Sequence, residues 1–194
     1  MSNPLITLDK SISRVLNIWG AREIFSVKVL SEYLVFVVIT FALLWLVRRT
    51  YQRNSSLNDF KFFFRDLFMQ GVALLVIPVG LATFISEVIS RFYIRQRPFA
   101  AMSDIKLLVP HSADGGMPSH HMVFMVSIAM MVYHFSKKLG IALIVLSLIS
   151  GIARISAGIH YPSDVLAGAL VGGVLAITYA RTVLKGRHNL SNLK

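Results

Sequence analysis

Cysteine is absent from the 194-residue chain, which excludes disulfide bridges and thiolate metal sites and leaves the compartment open. Acid is scarce: nine Asp and Glu stand against twenty Lys and Arg, a net charge of +11. Charge of either sign is thin, at 15% of residues, where a soluble domain carries about 25%. Two further features are missing. No aromatic-basic module for stacking bases is visible, so the excess of base does not point to nucleic acid. The N-terminal stretch MSNPLITLDKSISRVL has neither a long uncharged core nor a small-residue cleavage site, so no cleaved signal peptide is expected. What the chain does have is apolar: 55% of residues are hydrophobic, the mean hydropathy is +0.66, and several runs approach the ~20 residues a helix needs to cross the hydrocarbon. The length suits about one domain, spanning 1–194. The reading is an integral membrane protein whose partners are membrane lipids, with most cations in connections that meet anionic head groups.

Residues 5–19 place Leu5, Leu8, Ile12, Val15, Leu16 and Trp19 on one face at helical spacing, with Asp9, Lys10, Ser13, Arg14 and Asn17 on the other. This predicts an amphipathic helix, lying in the membrane interface or packed on the rest of the protein. Spans are expected at about 27–47, 67–89, 119–135, 139–155 and 164–184. The fold class is therefore all-α: a polytopic helix bundle of about five transmembrane helices plus the N-terminal interfacial helix. The last span is rich in glycine (Gly168, Gly172, Gly173), as close helix approach in lipid favours. Arg48, Arg49, Arg53, Lys61 and Arg65 fill one short connection, and Lys137 and Lys138 another. Five spans put these connections and the C-terminal tail on one side, which the positive-inside tendency assigns to the cytoplasm. The N-terminus, the loop at 91–118 and the bend at 154–164 then share the outer side. The raw count, eleven Lys and Arg inside against nine outside, leans the same way.

Three polar groups thus converge at one membrane face: Arg97-Pro98, Pro118-Ser119-His120-His121, and Arg154 with His160 and Asp164. Arginine forks suit phosphate oxygens. Ser119 and the free amides opening a helix form an anion site at its positive end. A neutral imidazole is a competent nucleophile, and a second imidazolium can protonate a leaving oxygen. A carboxylate near one histidine fixes its tautomer, and charge stabilisation of this kind works without metal. Each piece alone is weak, and the conjunction carries the weight. His111, His134 and His188 read as interfacial hydrogen-bonding residues, although His111, in the loop, is placed to touch a substrate. Gly115 and Gly116 read as a flexible turn.

These three segments resemble the signature of the type 2 phosphatidic acid phosphatase superfamily, which also includes the vanadium haloperoxidases. That signature is a lysine, six residues and Arg-Pro; then Pro-Ser-Gly-His; then Ser-Arg, five residues, His, three residues and Asp. The match covers about residues 90–165. The resemblance implies that His160 is the nucleophile forming a phosphohistidine, oriented by Asp164, and that His121 is the acid which later activates water. It implies Arg97, Ser119 and Arg154 as phosphate ligands, with the amide of His120 and Gly158 as further donors, and no metal or other cofactor. Three positions depart from the pattern. Ser90 stands where the lysine belongs, with Arg91 or Arg95 as possible substitutes; Ala153 replaces the serine before Arg154; and His120 replaces the glycine.

Within the superfamily, the run from Arg97 through Leu108-Val109-Pro110-His111-Ser112-Ala113-Asp114 to Pro118-Ser119 resembles the bacterial undecaprenyl-diphosphate phosphatases of the bacitracin-resistance type. Their likeness implies an isoprenoid diphosphate substrate, hydrolysed at the outer face of the cytoplasmic membrane to recycle the carrier of cell-wall polymers. Phosphatidylglycerophosphate, phosphatidate and lipid A phosphates stay open as substrates, as does transfer of phosphate to another lipid. A transporter would place its charges at mid-membrane, whereas these cluster at span ends. The oxidative members of the superfamily are soluble and larger.

Overall fold

The structure, a computed structural model, describes residues 4–53 and 60–184. Among the described residues every regular element is a helix. The N-terminal α1 (Pro4–Gly20) precedes α2 (Ile24–Glu32) and α3 (Leu34–Arg53). These last two bend at Tyr33 and together form a run of 30 residues whose apolar 18-residue stretch has mean hydropathy 2.2. A second long run comprises α4 (Phe60–Gly71), a widened π turn at Val72–Val76 and α5 (Ile77–Phe92). Pro78, in the first turn of α5, explains that turn. It has no N–H for the carbonyl four residues back and its ring crowds that carbonyl, so the helix widens rather than breaks. A one-turn α6 (Pro98–Ala101) interrupts the long outer loop. Then follow α7 (His120–Phe135), α8 (Lys137–Ser156) and α9 (Pro162–Tyr179), the last continued by a π turn to Leu184.

Helix α7 is the axis. Met122, Met125 and Met131 are among the largest side chains fully buried in the molecule, and α7 packs on α3, α5, α8 and α9. Its sixteen residues make about 24 Å, shorter than the ~30 Å hydrocarbon, and its neighbours complete the crossing around it. Four longer runs are apolar enough to span: Ile24–Arg53, Phe60–Phe92, Lys137–Ser156 and Pro162–Thr182. Phe36, Phe84, Val145, Leu170 and Val174 point outward from these helices, as side chains facing lipid do. With four such helices and a fifth, shorter apolar one at the centre, this is an integral membrane protein.

Lipid offers no hydrophobic gain for packing one apolar helix on another, so close contact must hold the bundle. The glycines predicted for this role divide. A Cβ on Gly168 would strike the Ser119 carbonyl, and one on Gly172 would strike that of Val123. Gly173 has only ordinary contact, with Val126 at 3.7 Å, so it does not set the α7–α9 approach. Ser127 adds an interhelical hydrogen bond to the Gly172 carbonyl at 3.2 Å.

The N-terminal helix docks on the bundle in an unexpected sense. Asp9, Ser13 and Asn17 are buried, while Leu5, Leu8, Val15 and Trp19 are exposed. Its polar stripe faces the protein, against α8 and α9, and its apolar stripe faces outward. Asn17 donates to the carbonyls of Lys106 (2.8 Å) and Ser156 (2.9 Å) and accepts from the Lys106 amide (2.8 Å). Polar termini of the bundle thus find partners, and the apolar face remains for the membrane interface. The basic positions Lys185 and Arg187, with His188, lie outside the described residues.

Candidate active site

The ends of α5, α7, α8 and α9 that meet at one face of the bundle carry the polar groups singled out in the sequence. Pro162 occupies the first position of α9, where its missing N–H costs nothing. Two residues on, the Asp164 carboxylate reaches back to accept the Tyr161 N–H at 2.7 Å. This cap holds the short 157–161 connection, and His160 projects from it into the interior, 3% exposed. The sharp turn before it requires Gly158, at φ +79°, with the Lys106 carbonyl so close that a Cβ would meet it at 2.7 Å. The Gly158 carbonyl accepts from the Phe99 amide. Its role is to bend the chain.

His160 Nδ1 lies 2.9 Å from the carbonyl of Gly116. A carbonyl only accepts, so Nδ1 carries the proton and Nε2 presents its lone pair. Asp164 is nearby, but at 3.7 Å from Nδ1 it is beyond hydrogen-bond range. The expected direct orientation by Asp164 is therefore replaced by a backbone carbonyl. Gly116 is accordingly no loose hinge: a Cβ there would meet Arg97 and Asp164 at 3.4 Å. Burial first, then the charges of Arg154 and Arg97, hold the His160 imidazole well below its ordinary pKa, so the ring is neutral.

Around it stand the cations. Arg97, 6% exposed, donates to the Ile159 carbonyl at 2.9 Å and approaches His160 Nε2 at 3.4 Å. It also donates to the Gly115 carbonyl at 3.2 Å and to Asp114 at 2.8–2.9 Å. Partial burial opposes ionisation of Asp114, but bonds from Ser112 and Arg97 override it and hold the carboxyl below the usual range. Arg154, 4% exposed, has one long bond to the Ser31 carbonyl (3.3 Å), and its Nε has no partner. The Ser119 hydroxyl is fully buried and unpartnered too. A serine at a helix N-cap ordinarily turns its hydroxyl onto the first free amides; here it does not, and hydroxyl and amides both remain available. Two buried donors without acceptors in one site mark a place for an anion.

His121 lies among the same charges, with Arg154 and His111 as electrostatic neighbours. The His111 ring meets that of His160 edge-on at 6.4 Å. Burial and Arg97 hold the His111 imidazole below its ordinary value. The loop histidine is thus brought into the site. His120 is different: its ring points outward, 3.7 Å from Glu87, leaving only its backbone amide toward the site. His134 packs on Phe135 at the opposite end of α7, with ring centroids 4.8 Å apart.

Neither residue offered for the missing lysine stands beside the imidazoles. Arg91 is exposed and pairs with Glu87 at 3.2 Å. Arg95 is spent on Asp164 (3.0 Å), Ser163 (2.6 Å) and Asp9 (2.8 Å), and stacks on Tyr161 at 3.8 Å. Ser90 bonds to the Glu87 carbonyl. The geometry corrects the expected role of Arg95 from phosphate ligand to support for Asp164. Sequence reasoning missed Asp9, which accepts from Arg95 and from both the amide and hydroxyl of Ser163. The only local signal was an acid on the polar stripe of the N-terminal helix in a chain poor in acids. It missed Asp114 as the partner of Arg97 as well.

Known proteins resemble the chain in sequence and in fold. The chain is 31% identical over 149 residues to a protein of Bacillus licheniformis named bacitracin transport permease protein BcrC, an alignment covering 76% of this chain and 66% of the relative. It is 33% identical over 97 residues to the undecaprenyl-diphosphatase BcrC of Bacillus subtilis, covering half of each. A putative undecaprenyl-diphosphatase of Escherichia coli, YbjG, matches at 30% over 105 residues, about half of each chain. The matched stretch thus spans from half to just under two thirds of these relatives' lengths. In fold, the chain is similar to LpxE of Aquifex aeolicus (TM-score 0.61, 24% identity, 91% of this chain and 94% of that one). It is similar also to a transmembrane PAP2-type phosphatidylglycerolphosphate phosphatase of Bacillus subtilis (TM-score 0.63, 18% identity, 95% and 88%). The model of the PAP2 superfamily matches residues 71–187, from the π turn in the second long helix through His160 and Asp164, and the chain belongs to that superfamily.

Proposed function

We propose that the protein is a metal-independent phosphatase of lipid diphosphates, converting undecaprenyl diphosphate to undecaprenyl phosphate at the outer face of a bacterial cytoplasmic membrane. The observation that carries the reading is the pair of buried, unpartnered donors, Ser119 Oγ and Arg154 Nε, in one site with a neutral imidazole. The diphosphatase names of the two half-length relatives support the substrate class.

The terminal phosphoryl oxygens lie against Arg97, Arg154, the Ser119 hydroxyl and the free amides of α7. Nε2 of His160 attacks phosphorus, and the bond to the bridging oxygen breaks with its electron pair passing to the lipid monophosphate. His121, as imidazolium, protonates that oxygen. The positive charge developing on His160 is met by the Gly116 carbonyl through Nδ1–H and by the Asp164 carboxylate 3.7 Å away. Water then attacks the phosphohistidine and gives its proton to His121. The P–N bond breaks back onto Nε2 and phosphate leaves. The arginines stabilise the equatorial oxygens throughout.

Phosphate release by the purified protein in EDTA, compared for undecaprenyl diphosphate, phosphatidylglycerophosphate and phosphatidate, tests this. The isoprenoid diphosphate is expected to be preferred, and His160→Ala to lower its turnover by about a thousandfold or more. Undiminished release from His160→Ala would remove the mechanism. A strict Mg²⁺ requirement would remove its metal independence, and a glycerolipid preference would reassign the substrate.

A further inference from the structure

A cavity of about 580 Å³ lies at the end of the bundle remote from His121 and His160, between the last turns of α3 and the corner where α7 passes into α8. No residue of the candidate active site lines it. Its wall along α3 is graded: Phe41, Leu44 and Trp45 make one part apolar, and Arg48, Arg49 and Gln52 make the other polar. From Phe41 to Gln52 the helix rises about 16 Å at 1.5 Å per residue, from the hydrocarbon toward the basic connections.

Arg49 is the centre of the polar part. Its guanidinium carbon lies 4.0 Å from the centroid of the Phe135 ring and 5.7 Å from that of Trp45, so rings from two helices hold it. Those rings supply no oxygen acceptor, and Arg49 Nε is buried without a hydrogen-bond partner. A buried donor left open marks the place of an acceptor. Arg95 stacks on Tyr161 in a similar way, but two carboxylates meet it. No carboxylate lines the cavity around Arg49, and Arg48 adds a second cation there.

We propose that this cavity binds an anionic phospholipid of the leaflet at that end of the bundle. The phosphate lies on Arg49 and Arg48, whose forks suit its oxygens, and an acyl chain follows Trp45, Leu44 and Phe41. Charge complementarity argues for an anionic head group, because the ammonium of a zwitterionic lipid would find no acid in the lining. The apolar part argues for a lipid over free phosphate, which would leave that part unfilled. Seated there, the lipid bridges α3 and the α7–α8 corner, at the far end of the helices that carry His121 and Arg154.

The chain has two tryptophans, Trp19 and Trp45, so Trp19→Phe leaves Trp45, in the cavity wall, as the fluorescent reporter. This parent is reconstituted in vesicles of phosphatidylcholine and phosphatidylglycerol, with bromine on the acyl chains of one lipid or the other. Quenching of Trp45 is expected to favour phosphatidylglycerol by about tenfold in relative binding constant. Arg49→Gln should bring that preference close to parity. Arg48→Gln, at a more exposed position, should lower it about threefold and keeps the test decisive if Arg49→Gln fails to fold. Arg65→Gln removes the same charge from an exposed position on α4, outside the cavity, and should keep the preference. Equal quenching by the two lipids in the parent would overturn the proposal, as would an equal loss with Arg65→Gln. Loss of the preference in millimolar inorganic phosphate at constant ionic strength would give the site to free phosphate instead of a lipid. Binding is read without turnover, so the result is independent of the proposed phosphatase chemistry.

Discussion

At the scale of single residues, His160 depends on what surrounds it more than on its identity. Its Nδ1 is tied to the Gly116 carbonyl, and burial together with Arg154 and Arg97 disfavours the imidazolium. The ring is therefore expected to stay neutral, protonated on Nδ1, well below the ordinary imidazole pKa of about 6.5. Imidazole ¹⁵N chemical shifts of the detergent-solubilised protein should show this at pH 6; a midpoint at or above 6.5 for His160 would contradict it. The sign for stability follows. The unfolded chain takes up a proton below about pH 6.5 that folded His160 refuses, so this group's contribution is full above that value and is lost as pH falls. Motif spacing identified His160, Arg97, Arg154 and Ser119 because each sits at a fixed offset from a helix end. It did not identify Gly116 as the group holding the imidazole, because a backbone carbonyl is invisible in a side-chain pattern.

At the scale of elements, α1 is a clamp on the active-site bend. Asp9 ties Arg95 and Ser163 together, and Arg95 in turn holds Asp164. Asp9→Ala leaves Arg95 and the Ser163 amide short of an acceptor in a largely buried place. A loss of about 1–3 kcal/mol is expected, read as a lower midpoint of thermal unfolding. Activity should fall as well, through a loosened Asp164 rather than loss of a phosphate ligand, so kcat should drop more than KM rises. An unshifted melting temperature would show that α1 is not holding the bend. Hydrophobic periodicity predicted this helix within a residue of its ends. Which stripe faces the protein was not legible, because in a membrane the inward face of an interfacial helix can be the polar one.

At the scale of the whole molecule, the proposed outward orientation of the site rests on two arguments: five crossings set the active-site face opposite the basic connections, and the positive-inside tendency favours the cytoplasm for those connections. Single cysteines introduced at Ser112 in the loop and at Ser136 between α7 and α8 test it, since the native chain has none. In intact cells a membrane-impermeant maleimide should label position 112 and spare position 136. The reverse pattern would invert the topology and move the proposed chemistry to the cytoplasmic face.

The sequence by itself determined the helices, the order of the spans and the convergence of Arg97, Ser119, His121, Arg154 and His160 at one face. Long apolar runs in lipid must satisfy their backbone internally, so they have little choice but helix, and alternate crossings return every second connection to the same side. Only the tertiary structure decided the pairings. Asp9 and Ser163 are 154 positions apart, and Arg97 finds Asp114 and the Ile159 carbonyl across 17 and 62. Such partners are selected by distance and burial, which arise when the helices pack and which no local pattern records. That packing turned Arg95 from an apparent phosphate ligand into the support of Asp164, and gave the Gly116 carbonyl the hold on His160 that the motif assigned to Asp164.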